Sequence, residues 1–86
     1  MNKDILNLYS WAIRGKQRRI IIRVMDRPKI PTQIKQETKL SLNNVSDILR
    51  LFVKKSIAKC LNEGEKVGRI YKLTKKGEEI RKEILK

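Results

Sequence analysis

The stretch "SLNNVSDILRLF", Ser41–Phe52, decides the fold of this chain. Its apolar residues recur at the spacing of one helix face, and Ser41 is a favourable residue for capping the first turn. The opposite face would carry two amides, an acid and two bases, which solvation alone does not require. The stretch therefore predicts an amphipathic helix over 42–55 and leaves open what its polar face contacts. The residues on that polar face are Asn43, Asp47, Arg50 and Lys54, with Asn44 and Ser46 at its flanks.

The residues before this helix predict a shorter one that turns into it. Pro28 and Pro31 favour extended backbone in the residues that precede them, and Ile30 is expected to form a one-residue β-bridge. We expect Thr32 to cap a short helix over "QIKQET", residues 33–38. Two helices joined by about three residues form a helix-turn-helix outline.

Helices are also predicted on the N-terminal side of this unit. Residues 4–13 place apolar side chains at the i, i+3, i+4, i+7 spacing of a helix face. Gly15 interrupts the pattern. The segment "KQRRIIIRVM", residues 16–25, is then predicted to be a second helix or a bent continuation of the first.

The C-terminal third changes period and predicts a β-hairpin. "IAKCL" (57–61) and "RIYKL" (69–73) are short and apolar, and the glycine-containing loop 62–68 lies between them. Thr74 is expected to cap a final helix over 75–86. The chain is therefore expected to form one α+β domain spanning residues 1–86.

Net charge is the strongest compositional signal. Lys and Arg number 22 against 9 Asp and Glu, which gives a formal net charge of +13. Such an excess repels itself in a folded domain and usually has a polyanionic partner. Nucleic acid, an anionic membrane surface and an acidic protein all fit, and a Lys-rich proteome is the alternative explanation. Acids are scarcer here than thermophile surfaces usually show, which favours a partner.

Two ordered motifs carry a resemblance to a known family. They are "RPKIPTQIKQETKLSLNNVSDILRLFVKKSIAKCL", residues 27–61, and "GRIYKLTKKGEEI", residues 68–80. Together they resemble winged helix-turn-helix DNA-binding domains, in particular small archaeal transcription regulators related to the MarR and ArsR families. The resemblance covers residues 14–85. It implies a mainly α fold with a two-stranded β-hairpin wing in the C-terminal half and a final helix.

The chain departs from the family pattern at three positions. Lys39 stands in the turn where glycine is common, and a left-handed lysine costs on the order of 1 kcal/mol relative to glycine. Lys35 replaces a small residue between the two helices. Asp47 stands where a base is common, and an acid there is unfavourable against phosphates.

The polar face of helix 42–55 has the chemistry of base readout. Asparagine can pair bidentately with adenine and arginine with guanine, and an aspartate can accept from cytosine N4. We therefore predict a double-stranded DNA-binding transcription regulator, with this helix in the major groove and the wing, residues 62–69, on flanking DNA. The predicted DNA-binding residues are Ser41, Asn43, Asn44, Ser46, Asp47, Arg50 and Lys54 on the helix, Lys66 and Arg69 on the wing, and Arg18 and Arg19 in the basic run.

Three alternatives remain open from the sequence. The polar face could be merely solvated, the charge fits an RNA-binding or ribosome-associated winged helix equally well, and winged helices also act as protein–protein adaptors. The amides and Arg50 favour DNA readout over an adaptor role. They separate DNA from RNA only weakly.

Enzyme activity, a metal and a cofactor are not expected. The chain contains no histidine, which is the usual general base and a common metal ligand. Its one cysteine, Cys60, lies in an apolar segment and suits a core thiol in a reducing cytoplasm. The sequence also has no apolar run of the roughly 20 residues that span a bilayer, and its start does not have the pattern of a signal peptide.

The N-terminal helix, residues 1–13, is expected to serve a homodimer. It is apolar on more than one side, so it needs more than one apolar partner. A two-fold pair would place two reading helices about 34 Å apart, one turn of DNA. The alternative is that Trp11 folds back on its own domain. The residues expected in the dimer contact are Ile5, Leu8, Tyr9, Trp11 and Ile84.

Overall fold

The computed structural model describes residues 2–86. Over these residues the chain is an α+β fold of five helices and one two-stranded antiparallel sheet. The elements in chain order are α1 Lys3–Arg14, α2 Lys16–Val24, α3 Pro31–Thr38, α4 Leu42–Lys54, β1 Ala58–Cys60, β2 Tyr71–Leu73 and α5 Lys75–Ile84.

The N-terminal segment forms two separate helices. The side chain of Asn2 accepts a hydrogen bond from the Ile5 backbone N–H at 2.9 Å and caps α1. Gly15 has extended backbone angles, ends α1 and precedes α2. Of the two predicted arrangements for residues 16–25, the separate helix is therefore the observed one.

The turn between α3 and α4 follows the predicted outline with one correction. Thr32 does not cap α3, because the helix already begins at Pro31, whose fixed φ and missing N–H suit a first helical position. The side chain of Gln33 instead accepts from the Ile30 N–H at 2.9 Å. Lys39 is left-handed, with φ of 65°, and Ser41 caps α4 by accepting from the Asn44 N–H at 3.1 Å.

The sheet is short and gains one further bridge. Ala58 faces Leu73 and Cys60 faces Tyr71 across the two strands. Lys29 pairs with Tyr71 through two backbone hydrogen bonds of 3.0 and 2.8 Å. The prediction of a one-residue bridge was right in kind, but the bridge lies at Lys29 and not at Ile30, because the spatial position of Tyr71 sets the register.

One hydrophobic cluster holds the elements together. Phe52 of α4 is fully buried, and the ring of Trp11 from α1 meets it edge-on at 6.0 Å between centroids. An ideal Cβ on Gly77 would lie 2.1 Å from the carbonyl oxygen of Ile57, the residue before β1, so only glycine lets α5 approach this backbone so closely. The buried apolar residues are Ile5, Ala12, Ile21, Ile22, Met25, Ile34, Val45, Leu49, Phe52, Ile57, Ala58, Tyr71, Leu73 and Ile80.

The last helix begins as predicted. The side chain of Thr74 accepts from the Gly77 N–H at 3.2 Å, and its hydroxyl donates to the Ser56 carbonyl at 2.6 Å. These bonds cap α5 and join its start to the end of α4. Within residues 2–86, no helix has the length and apolar character needed to cross a membrane.

Candidate nucleic-acid interface

The outward face of α4 is polar and open to solvent. Val45, Leu49 and Phe52 are fully buried beneath it, so the helix is fixed on the core by one side. Such a helix presents its remaining side chains from a rigid base. The exposed polar residues of this face are Asn43, Asn44, Asp47, Arg50 and Lys54; Ser46 is half-buried, and the capping Ser41 is exposed.

Two of these exposed side chains form an ion pair. Arg50 Nη2 donates to Asp47 Oδ1, one helical turn away. The side chains keep 65% and 64% of their exposure, so water screens the pair and it adds little to stability. Arg50 therefore partly neutralises the charge of Asp47, the one acid among the basic and amide residues of this face.

A cleft separates this face from the loop that joins the strands. We call residues 61–70 the hairpin loop. The cleft has a volume of about 460 Å³ and lies between the starts of α3 and α4 on one side and this loop on the other. Its cationic side chains are Arg50, Lys66 and Arg69. Of the α4 residues predicted to bind DNA, Ser46 and Arg50 therefore line one cleft together with the hairpin loop. The lining residues are Ile30, Pro31, Thr32, Leu42, Ser46, Arg50, Lys66, Val67, Gly68, Arg69 and Tyr71.

The hairpin loop is held in shape by two of its own side chains. Arg69 donates to the carbonyl oxygens of Glu65 at 2.6 Å and Glu63 at 3.4 Å. Asn62 accepts from the Ile70 N–H at 2.7 Å and donates to the Gly68 carbonyl at 3.1 Å. Arg69, a predicted DNA contact, is therefore half-buried and engaged by the loop itself.

The end of the hairpin loop presents a different pair of side chains. Lys66 is exposed and forms no salt bridge to any residue of 2–86. Val67 beside it is 87% exposed, the highest value among the large apolar residues described. Gly68 follows with φ of +72°, which glycine adopts without strain. Of the two wing residues predicted to bind DNA, Arg69 is engaged by the loop, whereas the Lys66 ammonium makes no side-chain hydrogen bond or salt bridge within residues 2–86.

The two arginines predicted from the basic run bind the end of α1. Arg18 donates to the Trp11 carbonyl at 2.8 Å, and its guanidinium lies 4.2 Å from the centre of that indole ring. Arg19 donates to the carbonyl of Ile13. Both cap the C-terminal end of α1, where unpaired carbonyls attract cations. The ammonium of Lys55 lies 4.7 Å from the same indole ring, a contact that the sequence did not reveal.

Lys29 is the charged residue that sequence reasoning missed. It is 2% exposed, and its ammonium donates to the Val24 carbonyl at 2.5 Å. The carboxylates of Asp26 and Glu37 each lie 2.9 Å from it. The hydrogen bond from Lys29 lowers the pKa of Asp26 below its usual value. This cluster joins α2, α3 and the sheet. The position of Lys29 between two prolines was the only sequence signal of its special place.

The residues predicted for a dimer contact lie mostly within the chain's own core. Ile5 is buried. Leu8, Tyr9, Trp11 and Ile84 are partly buried and pack against the same cluster. Trp11 folds back on its own chain, as the alternative interpretation held.

Comparisons with protein-family models, with curated proteins and with solved structures found no match to this chain. The functional argument therefore depends on the geometry and charge of the chain itself.

Proposed function

We propose that this protein is a winged helix-turn-helix transcription regulator that binds double-stranded DNA. In this proposal α4 enters the major groove and the hairpin loop acts as the wing on flanking DNA. We further propose that it acts in a reducing cytoplasm without a metal or cofactor, consistent with its single, half-buried free thiol at Cys60.

One observation carries the proposal. Arg50 of α4 lines one cleft together with Lys66 and Arg69 of the hairpin loop, and the exposed amides of Asn43 and Asn44 lie on the same helix, in a chain of net charge +13. A helix of 13 residues, fixed by its apolar side, can enter a major groove about 12 Å wide. Amides and arginine can then read base edges, while Lys54 and Lys66 are free to contact phosphates.

The first test compares ligands at fixed salt. Titrating the protein with duplex DNA, a scrambled duplex and a structured RNA measures whether duplex DNA is preferred. The expected result is tighter binding to duplex DNA than to the RNA, with further preference for a sequence selected from a random library. Binding confined to RNA would favour the RNA-binding alternative and overturn the proposal.

A second test uses ionic strength. Contacts to roughly 6–10 phosphates would weaken binding by about 10³- to 10⁵-fold between 50 and 200 mM salt. An affinity for DNA that does not change over this range of salt concentration would contradict contacts to the DNA phosphates.

We also propose a homodimer, and the structure changes which residues could form its contact. The apolar stripe of α1 packs on the chain's own core, whereas Leu6 and Leu85 stay 49% and 47% exposed. Sedimentation equilibrium on the wild type and on Leu6→Gln, which keeps helix propensity, measures the association. We expect the wild type to form a dimer, and Leu6→Gln to form the same dimer with a higher dissociation constant. A wild type that stays monomeric at high micromolar concentration rules out a stable dimer.

A further inference from the structure

The pair of Asp47 and Arg50 is the one place where an acid interrupts the exposed face of α4. An acid on a DNA-facing helix repels phosphates, and an exposed pair contributes little to stability. Stability therefore does not explain why a carboxylate stands at the middle of this face. A role in choosing the DNA sequence does.

Building on the proposed function, we propose that Asp47 is a specificity-determining residue, which holds Arg50 for recognition of a G·C base pair in the major groove. Arginine recognises guanine by donating two N–H groups to O6 and N7 at once, which requires a fixed orientation of the guanidinium plane. The bond from Nη2 to Asp47 Oδ1 uses one of the five N–H donors of Arg50 and leaves four for the base.

The surroundings of Arg50 explain why it needs a partner to orient it. Its side chain lines the cleft beside the hairpin loop and also a second cleft of about 290 Å³ next to Cys60 and Tyr71. A long side chain between two open clefts has many rotamers to lose on binding. Asp47 restricts that choice before DNA arrives, so less conformational entropy remains to be lost in the complex.

Asp47 also acts on DNA in its own right. Its second oxygen, Oδ2, accepts no side-chain hydrogen bond within residues 2–86 and can accept from the N4 amino group of cytosine. Where neither cytosine N4 nor adenine N6 lies within reach, the carboxylate meets only acceptors and phosphates, which it repels. The same group therefore favours the correct site and disfavours others, which is how specificity arises from a difference of affinities.

Selection from a randomised duplex library tests the inference directly. The wild type is expected to enrich a G·C pair at one position of its site. Asp47→Asn keeps the shape of the side chain and removes its charge. We expect it to lose about 5- to 150-fold of the discrimination at that position, the range of one good base contact, and to bind random duplex more tightly than the wild type.

Two matched variants separate this role from simpler explanations. Glu78→Gln removes an exposed acid from the first turn of α5, so it changes net charge equally, and should leave the base preference unchanged. Arg50→Lys keeps the positive charge but lacks the planar fork, and should lose the same preference as Asp47→Asn. The thermal midpoint of each variant shows that its fold is intact.

The outcomes distinguish the inference from the function on which it depends. An unchanged preference in Asp47→Asn, with the wild type binding duplex DNA, overturns the inference alone. An equal loss of preference in Glu78→Gln assigns the effect to net charge and also overturns it. A wild type that binds no duplex overturns the proposed function, and the inference with it.

Discussion

The molecule contains two ion-paired groups, one around Lys29 and one formed by Arg50 and Asp47, and they differ in burial and in the number of partners. Lys29 is 2% exposed and is held by a carbonyl and two carboxylates. Arg50 is 65% exposed and is held by one carboxylate on its own helix. The first group joins three elements of the fold, whereas the second belongs to a single surface. A buried cation with all its donors engaged is structural, and an exposed cation with free donors can serve a ligand.

The comparison shows that net charge does not locate a binding surface. The formal charge of +13 counts Lys29 and Arg50 equally. Several other cations donate to backbone carbonyls, which holds their side chains on the fold although their charge and their other N–H donors remain. They are Arg14, Arg18, Arg19, Arg69 and Arg81. The exposed amides and cations of α4, together with Lys66, make no such bond among the residues described.

The largest expected effect separates the two groups by stability. Lys29→Ala removes a buried cation and leaves two carboxylates without their partner, which typically costs 3–5 kcal/mol. Because those carboxylates keep 45% and 40% exposure, we expect a loss of about 3 kcal/mol in the free energy of unfolding. Urea denaturation measures it.

Two variants sharpen that result. Lys29→Met keeps the apolar stem but also leaves both carboxylates without their partner, so it should recover only the part of the Lys29→Ala loss that comes from packing. Asp47→Asn should stay within about 0.5 kcal/mol of the wild type, because it breaks only an exposed pair. If Asp47→Asn destabilised the chain as much as Lys29→Ala, the distinction between the two groups would be wrong.

The next effect concerns DNA binding. Here substitutions on α4 should have larger effects than substitutions at Lys29. Asn43→Ala and Asn44→Ala should each weaken binding to the preferred duplex by roughly 1–3 kcal/mol if that amide contacts a base. Lys29→Met should change it far less. Fluorescence anisotropy with preferred and random duplexes measures both. An equal loss on the two duplexes would mean that α4 positions the protein without reading the sequence.

A smaller effect is expected at the hairpin loop. Lys66→Ala should weaken all duplexes alike and reduce the slope of log affinity against log salt by about one. Arg69→Ala should instead loosen the loop, since Arg69 donates to the carbonyls of Glu63 and Glu65. Hydrogen exchange of the loop amides distinguishes the two variants. Faster exchange in Lys66→Ala than in Arg69→Ala would contradict the assigned roles.

The smallest effect is a pH dependence that comes from Asp26, the half-exposed partner of Lys29. The Lys29 hydrogen bond holds the pKa of Asp26 below its usual value, so the ionised carboxylate stabilises the fold. A depressed pKa contributes stability above the unfolded value of about 3.9, and that contribution is lost as pH falls through the folded pKa. The urea concentration at the midpoint of unfolding should therefore decrease once the pH falls below about 4. Asp26→Asn should show a shallower fall, and an identical profile would remove Asp26 from the account.

Local signals predicted the fold well where the cause is local. Ser41 and Thr74 cap their helices as expected, because capping involves residues two or three positions away. Thr32 failed as a cap because Pro31 satisfied the helix start one residue earlier. The prediction of a bridge at Ile30 was wrong because the bridge position depends on Tyr71, some forty residues away in the sequence.

The candidate site was predictable to the same extent. The periodicity of α4 placed its exposed residues correctly, since burial of one face fixes the other. The arginine contacts could not be predicted, because the carbonyls that Arg18 and Arg19 reach depend on how two helices meet. The burial of Lys29 likewise depends on acids that only the fold brings together.

The central claim is that the exposed face of α4 and the hairpin loop together contact duplex DNA. Amide NMR spectra of the ¹⁵N-labelled protein, recorded during titration with its preferred duplex, test this claim most directly. We predict the largest shift changes at Asn43, Asn44, Arg50 and Lys66, with small changes around Lys29. Changes centred on α1 and α5, with the amides of α4 unmoved, would contradict the account.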